Sequence, residues 1–153
     1  MKELTKEMLI SYGVTDVTEN GEVYVNDTLR KPSIIVGKHK YGQDRKYLAI
    51  YFVNKNIKVP VQQTYRVKSG EVRKCPGWTY KIDTYPLARI MLAWFNGSIG
   101  SNEDADHIDS NPMNNNISNL QAISRKSNLE KRKLTHSQIT LAYKKVQKMM
   151  GIE

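Results

Sequence analysis

The spacing of apolar residues changes period more than once along this chain, and each change predicts a different element. Leu4, Met8 and Tyr12 recur every four residues from Lys2 to Tyr12 and stop at Gly13, which predicts a short amphipathic helix. Alternation with a period of two follows. Val14 to Thr18 and Val23 to Asn26 flank Glu19-Asn20-Gly21-Glu22, and an Asn-Gly pair between alternating apolar residues predicts a hairpin. Ser33 to Gly37 and Tyr47 to Val53 are β-branched and aromatic, separated by a turn-forming stretch from Lys38 to Lys46. Shorter strands are expected at Ile57 to Val59, Thr64 to Val67 and Trp78 to Ile82, with a turn at Lys68-Ser69-Gly70-Glu71. The helical period then returns. Leu87, Ile90, Met91, Trp94 and Phe95 give the segment from Tyr85 to Phe95 a broad apolar face, Pro86 suits its first turn and Asn96-Gly97 its end. Asp104 to His107 and Leu120 to Ser124 read as paired strands, and Arg125 to Lys133 as a helix. Thr135 with Gln138 reads as the capping box of a last helix carrying Ile139, Ala142, Val146 and Met149.

This order of elements predicts an α+β fold. A basic, antiparallel, β-rich unit would occupy residues 1–83, a core helix with a strand–loop–strand–helix unit 84–133, and a terminal helix 134–153. A chain of 153 residues is long enough to bury most of its apolar side chains. The lone Cys75 excludes a disulfide framework and a cysteine-cluster zinc site, and a free thiol fits a reducing cytoplasm. Glu3, Glu7, Asp16, Glu19 and Glu22 break up the first thirty residues, which do not read as a signal peptide. No apolar run reaches the roughly 18 residues that a membrane span needs, so no membrane partner is expected.

Charge adds what periodicity cannot. Residues 30–81 hold thirteen Lys or Arg against Asp44 and Glu71, a net +11; residues 84–124 are net −3 and residues 125–153 net +6. An acidic, cation-seeking centre between two basic arms suits a polyanion laid across a metal site. Double-stranded DNA is the expected partner. Candidate contacts are Arg30, Lys38, Lys40, Arg45, Lys46, Arg66 and Arg73 in the β-rich unit, Arg89 on the core helix, and Arg125, Lys126 and Arg132 near the last strand. Arg45, Arg66 and Arg73 are better suited to base edges than the lysines, because a guanidinium can grip guanine with two bonds. A basic sheet bearing tyrosines could also bind single-stranded RNA.

The chemistry concentrates between Asp106 and Asn128, where the chain reads Asp-His-Ile-Asp-Ser-Asn-Pro-Met-Asn-Asn-Asn-Ile-Ser-Asn-Leu-Gln-Ala-Ile-Ser-Arg-Lys-Ser-Asn. Asparagine and aspartate clusters are ordinary turn chemistry, so the run Asn114 to Asn116 by itself reads as a surface loop. The conjunction is more telling. Phosphodiester cleavage needs a hard cation to neutralise charge on the phosphate and leaving oxygen, and a base for the attacking water. Carboxylate and carboxamide oxygens suit Mg²⁺ or Mn²⁺, which use few protein ligands, so one ion on two residues suffices. His107, ionising near neutrality, is the candidate base. Adjacent residues on a strand point to opposite faces, so Asp106 and His107 can serve one site only where the strand bends or ends.

Asp106-His107-Ile108-Asp109-Ser110-Asn111, Asn114-Asn115, Ile117-Ser118-Asn119-Leu120 and Arg125-Lys126-Ser127-Asn128 together resemble the HNH (His-Me finger, ββα-metal) endonucleases of the phage and intron-homing type. Leu87-Ala88-Arg89-Ile90-Met91-Leu92-Ala93-Trp94-Phe95 resembles the apolar helix that precedes the motif in that branch. The likeness spans about residues 80 to 132. It implies a ββα-metal finger in which Asp106 and Asn128 hold the metal, His107 is the general base and Asn119 pins the loop. By this resemblance the chain is a divalent-metal-dependent DNA endonuclease, monomeric or dimeric, without a small-molecule cofactor. Two positions depart from the pattern: the usual final histidine is Asn128, and the usual loop glycine is Ser110. Both keep open a second expectation, a DNA-binding protein that retains the finger as a scaffold without catalysis.

Overall fold

The computed structural model describes residues 2–37 and 45–151, and the side chains of 132–140, 142 and 143 fall outside that description. The chain begins with β1 (Leu4–Thr5) and α1 (Lys6–Ser11), so the helix starts later than its apolar spacing predicts. The cause is Thr5, whose hydroxyl accepts from the Met8 amide at 3.2 Å and caps the helix, while Leu4 pairs outward as a strand. β2 (Val14–Val17) and β3 (Val23–Val25) form the expected hairpin, and β4 (Thr28–Arg30) extends it to three strands. The turn into β4 is Asn26-Asp27, both left-handed at φ 50° and 61°, a two-residue type I′ connection.

β5 (Ser33–Gly37) pairs with β6 (Arg45–Arg66), which pairs in turn with β7 (Val72–Pro86). The separate short strands expected from the sequence are segments of these two long ones. Pro60 and Pro76 are accommodated within them because the two-stranded part of the ribbon has two free edges where a missing amide costs nothing. The register shifts between Asn54 and Lys58, leaving three residues of β6 unopposed and dividing the ribbon. Below this bulge lies a stem in which Ala49, Ile50 and Phe52 are buried; above it lies an arm from Lys58 to Tyr80 with no buried residue. The arm closes through Lys68-Ser69-Gly70, with Gly70 at φ 87° supplying the left-handed position of the turn.

α2 (Leu87–Asn96) follows Pro86 directly and ends at Gly97, φ 90°. Every residue from Leu87 to Ala93 is buried, so this helix is covered on all sides and forms the centre of the molecule. Leu4, Leu9, Val14, Val23, Ile50, Phe52, Ile99 and Leu120 share one core cluster with it. After α2 come β8 (Ser98–Ile99), which pairs antiparallel with β1, then β9 (Glu103–His107), a single 3₁₀ turn at Ile117–Asn119, and β10 (Leu120–Ser124). The chain finishes in α3 (Arg125–Met149), one continuous helix. The predicted break is absent, because Thr135 and Gln138 stand inside α3 instead of capping a second helix. The fold is therefore α+β with antiparallel sheets, as the element order predicts. Of the unit boundaries read from sequence, 83/84 falls within β7 and 133/134 within α3. No described helix is long and apolar enough to cross a membrane.

Candidate active site

The candidate motif folds as strand, loop, strand and helix. β9 and β10 are antiparallel with His107 opposite Leu120, Asp106 opposite Gln121 and Asp104 opposite Ile123. The strand ends at His107, the condition under which neighbouring residues can serve one site. Beyond it the backbone turns sharply: the Ser110 amide donates to the His107 carbonyl at 2.9 Å, and Ser110 itself is left-handed at φ 62°. A glycine would adopt that angle without strain, whereas a serine does so at a cost of about 1 kcal/mol.

The loop is knit by its own amides. Asn119 donates to Asp109 Oδ1 and to the Asn114 carbonyl, both at 2.9 Å, and accepts from the Asp109 amide at 3.1 Å. Asp109 also accepts from the Asn114 carboxamide at 2.9 Å and from the Asn111 amide at 2.8 Å. These donors, that of Asn114 foremost, hold the Asp109 carboxyl below the usual carboxylate range. Distant residues complete the bracing. The Ile117 amide donates to the Glu19 carbonyl at 2.9 Å and the Asn116 carboxamide to Asn20 at 3.0 Å, so the turn between β2 and β3 props the asparagine run. There Asn115 is 6% exposed, with Gly21 against it.

This burial gives Asn115 its task. Its Oδ1 lies 2.9 Å from Nε2 of His107, and its own Nδ2 reaches the Pro112 carbonyl at 3.4 Å. With the amide so oriented, Nε2 donates and Nδ1 keeps the lone pair of the neutral ring. Sequence reading assigned the asparagine run to a surface loop and gave Asn115 no site role. The pairing rests on burial, which spacing does not reveal.

On the other flank, Asp104 and Asp106 are two apart on β9 and share a face. Arg125, Asn128 and Lys131, three apart on the first turns of α3, lie along them. Arg125 Nε is 3.6 Å from Asp104, Asn128 Nδ2 donates to Asp104 at 3.1 Å, and Lys131 Nζ sits 2.6 Å from Asp106. Gln121 donates to the same Asp106 oxygen at 2.7 Å. Ser124 caps the helix by accepting from the Ser127 amide at 3.1 Å, which sets the phase that turns Asn128 inward to 7% exposure. Asp106 and Asn128 thus lie on one flank, each bonded to different partners, and His107 faces Asn115. Among the described residues no three His, Cys, Asp or Glu side chains cluster as a metal site. The donor chemistry nonetheless fits a hard cation: the Asp104 and Asp106 carboxylates and the Asn128 carboxamide are oxygen donors on adjoining elements, and Asp106 already holds a positive charge at contact distance.

The basic candidates separate into groups. Arg30, Arg45, Lys46, Arg66, Arg73, Arg125 and Lys126 are exposed. Lys38 and Lys40 lie outside the described residues, as does the side chain of Arg132. Arg89 is the correction. It is 1% exposed and donates to the carbonyls of Glu103 at 2.7 Å, Lys2 at 2.9 Å and Gly100 at 3.1 Å, so it braces β1 and β9 on α2 and is not presented to DNA. Burial pulls its pKa down from the ordinary value, and Asp104 and Glu103 oppose that pull.

Residues 85–130 match the family model described as HNH endonuclease. No curated protein and no solved structure matches the chain.

Proposed function

We propose, from the match of residues 85–130 to the HNH endonuclease family model, that this protein is a divalent-metal-dependent DNA endonuclease whose chemistry is carried by His107, Asp106 and Asn128. The observation that carries the reading is the end of β9 at His107: the imidazole is held by buried Asn115 on one side, and Asp106 meets the Asn128–Lys131 face of α3 on the other. Nδ1 of neutral His107 takes the proton from water attacking the phosphorus, and Asn115 keeps the ring in the tautomer that can do so. Asn119 fixes the loop that carries Asn115. Asp106 and Asn128 would hold a Mg²⁺ or Mn²⁺ ion, which would supply charge neutralisation for phosphodiester cleavage. Arg125 and Lys126, exposed at the start of α3, are placed to meet neighbouring phosphates. The resemblance to the homing and phage branch implies 5′-phosphate and 3′-hydroxyl ends and a nick per engagement.

The test is supercoiled plasmid incubated with the protein, with Mg²⁺ or with a chelator. Relaxation only with the metal, reduced roughly 10² to 10⁴-fold by His107→Ala with DNA binding retained, is the expected result. Equal cutting by parent and variant would remove His107 from the mechanism. The seating of Lys131 on Asp106 favours a second reading, in which an ammonium stands where the cation would and the finger only binds DNA. That reading predicts salt-sensitive binding with no nick at any Mg²⁺ or Mn²⁺ concentration.

A further inference from the structure

The arm of the β6–β7 ribbon is unlike any other part of the molecule. Nine residue pairs, from Lys58 opposite Tyr80 to Arg66 opposite Val72, run without a buried residue. An isolated two-stranded hairpin is marginally stable in water, so an arm of this length is best explained by a partner that covers it. Residues 55–81 carry Lys55, Lys58, Arg66, Lys68, Arg73, Lys74 and Lys81 against Glu71, a net +6, and the partner is therefore a polyanion.

The two faces of the arm differ. Register places Lys58, Pro60, Gln62, Thr64 and Arg66 with Val72, Lys74, Pro76, Trp78 and Tyr80 on one face; all but Tyr80 are exposed and none is acidic. Val59, Val61, Gln63 and Tyr65 share the other face with Arg73, Cys75, Gly77 and Thr79. There Val59, Val61, Cys75 and Gly77 are half-buried, and Gln63 folds over Gly77, where an added Cβ would meet its side chain at 2.5 Å. Trp78 is not free to stack flat on an unpaired base: Lys58 lies over its ring at 4.0 Å and Tyr80 meets it edge-on at 5.3 Å. The first face thus offers cations, carboxamide and hydroxyl groups in a straight row. A two-stranded ribbon fits a B-DNA major groove roughly 12 Å wide. Nine pairs span about 27 Å, the rise of about eight base pairs.

We propose that the Lys58–Gln62–Thr64–Arg66–Lys74 face of the ribbon lies in the major groove of duplex DNA and reads base edges apart from the bond that the finger cuts. The second clause rests on the nuclease reading; the first does not. Arg66 suits guanine and Gln62 adenine, each through two bonds, while Lys58 and Lys74 hold phosphates at the groove edges. Arg73, on the opposite face beside Glu71 at 3.5 Å, can contribute only to phosphate attraction.

His107→Ala protein, used for binding without cutting, is mixed with random duplexes, and bound sequences are recovered and read. The expected result is an enriched block of about eight base pairs. Methylation of guanine N7, which faces the major groove, should weaken binding within that block roughly ten- to a hundredfold. Gln62→Ala/Arg66→Ala/Lys74→Ala in the same background should lose the block. Gln63→Ala/Thr79→Ala, on the other face, should keep it. A block unchanged by the triple substitution, no block at all, or preference for single strands over duplex would overturn the proposal. Nicking by the parent protein is scored separately: a block without nicking overturns the nuclease reading alone, and nicking without a block overturns the ribbon proposal alone.

Discussion

Two antiparallel pairs in this chain share one kind of ladder and are held by opposite means. β9 and β10 are five residues each, pack on α2, and end in a loop where Asn111, Asn114, Asn115, Asn116 and Asn119 all engage other groups. The arm of β6 and β7 is longer, has no buried residue beyond its bulge, and leaves most of its side chains exposed. The proposed proton transfer needs its groups fixed before substrate arrives, and the hydrogen bonds of the finger meet that need. A surface that follows a groove can be ordered by what it binds. The contrast separates a region fixed by its own hydrogen bonds from one left accessible.

Four changes break or sharpen that contrast. The largest effect is expected from Arg89→Met, which leaves three carbonyls beneath the finger without donors; stability should fall by about 3 kcal/mol, read as a shifted denaturant midpoint. An unchanged midpoint would mean those carbonyls find other donors. Asn115→Ala should loosen the imidazole without removing it. Its kcat is expected to drop about tenfold, near 1.4 kcal/mol, with KM for DNA unchanged, and a change in KM alone would refute the positioning role.

The next change acts at the root of the ribbon, where the Tyr12 hydroxyl donates to Asp83 at 2.6 Å and Tyr12 stacks on Phe52 at 5.0 Å. That hydroxyl, then the Asn54 carboxamide and Lys81, keep the Asp83 carboxyl below its ordinary value, while burial and the same bond raise Tyr12. A depressed carboxyl stabilises the fold fully above its unfolded value of ~3.9 and loses that contribution as pH falls through the lowered value. The raised phenol contributes below its unfolded value of ~10 and loses that as pH rises through the elevated one. Tyr12→Phe should therefore cost about 1 to 2 kcal/mol at neutral pH, with the difference from the parent shrinking below about pH 4. A difference independent of pH would show that the bond to Asp83 contributes nothing. The smallest effect is expected where sequence length suggests a large one: replacing residues 58–80 by an Asn-Gly turn should move the melting temperature by only a few degrees, because no buried side chain is lost. A collapse of the fold would show the arm to be structural.

Particular residues explain what could be read in advance. The apolar face of α2, the Asn20-Gly21 turn and the strand pair around Asp104 and Leu120 were legible because each is a local pattern with one physical solution. The single long ribbon was not legible because no local pattern joins its short apolar stretches across the bulge, and its arm accommodates Pro60 and Pro76 only because both strands there are edges. Arg89 looked like a surface cation; only tertiary burial turned it into a brace. Asn115 was hidden in a run of three asparagines of which the fold selects one. The Thr135–Gln138 pattern met the requirements of a helix start, yet α3 passes through it, since a cap matters only where a helix ends.

The clasp between Glu19 and Ile117, and between Asn20 and Asn116, sets a limit on how the finger can be moved about. The segment that carries the family likeness begins at residue 85, yet the prop beneath its imidazole comes from residues 19–21. Grafted into another host, residues 85–130 would bring their carboxylate and histidine but leave the footing of Asn115 behind. In this protein, the smallest transplantable finger is two pieces of chain, not one.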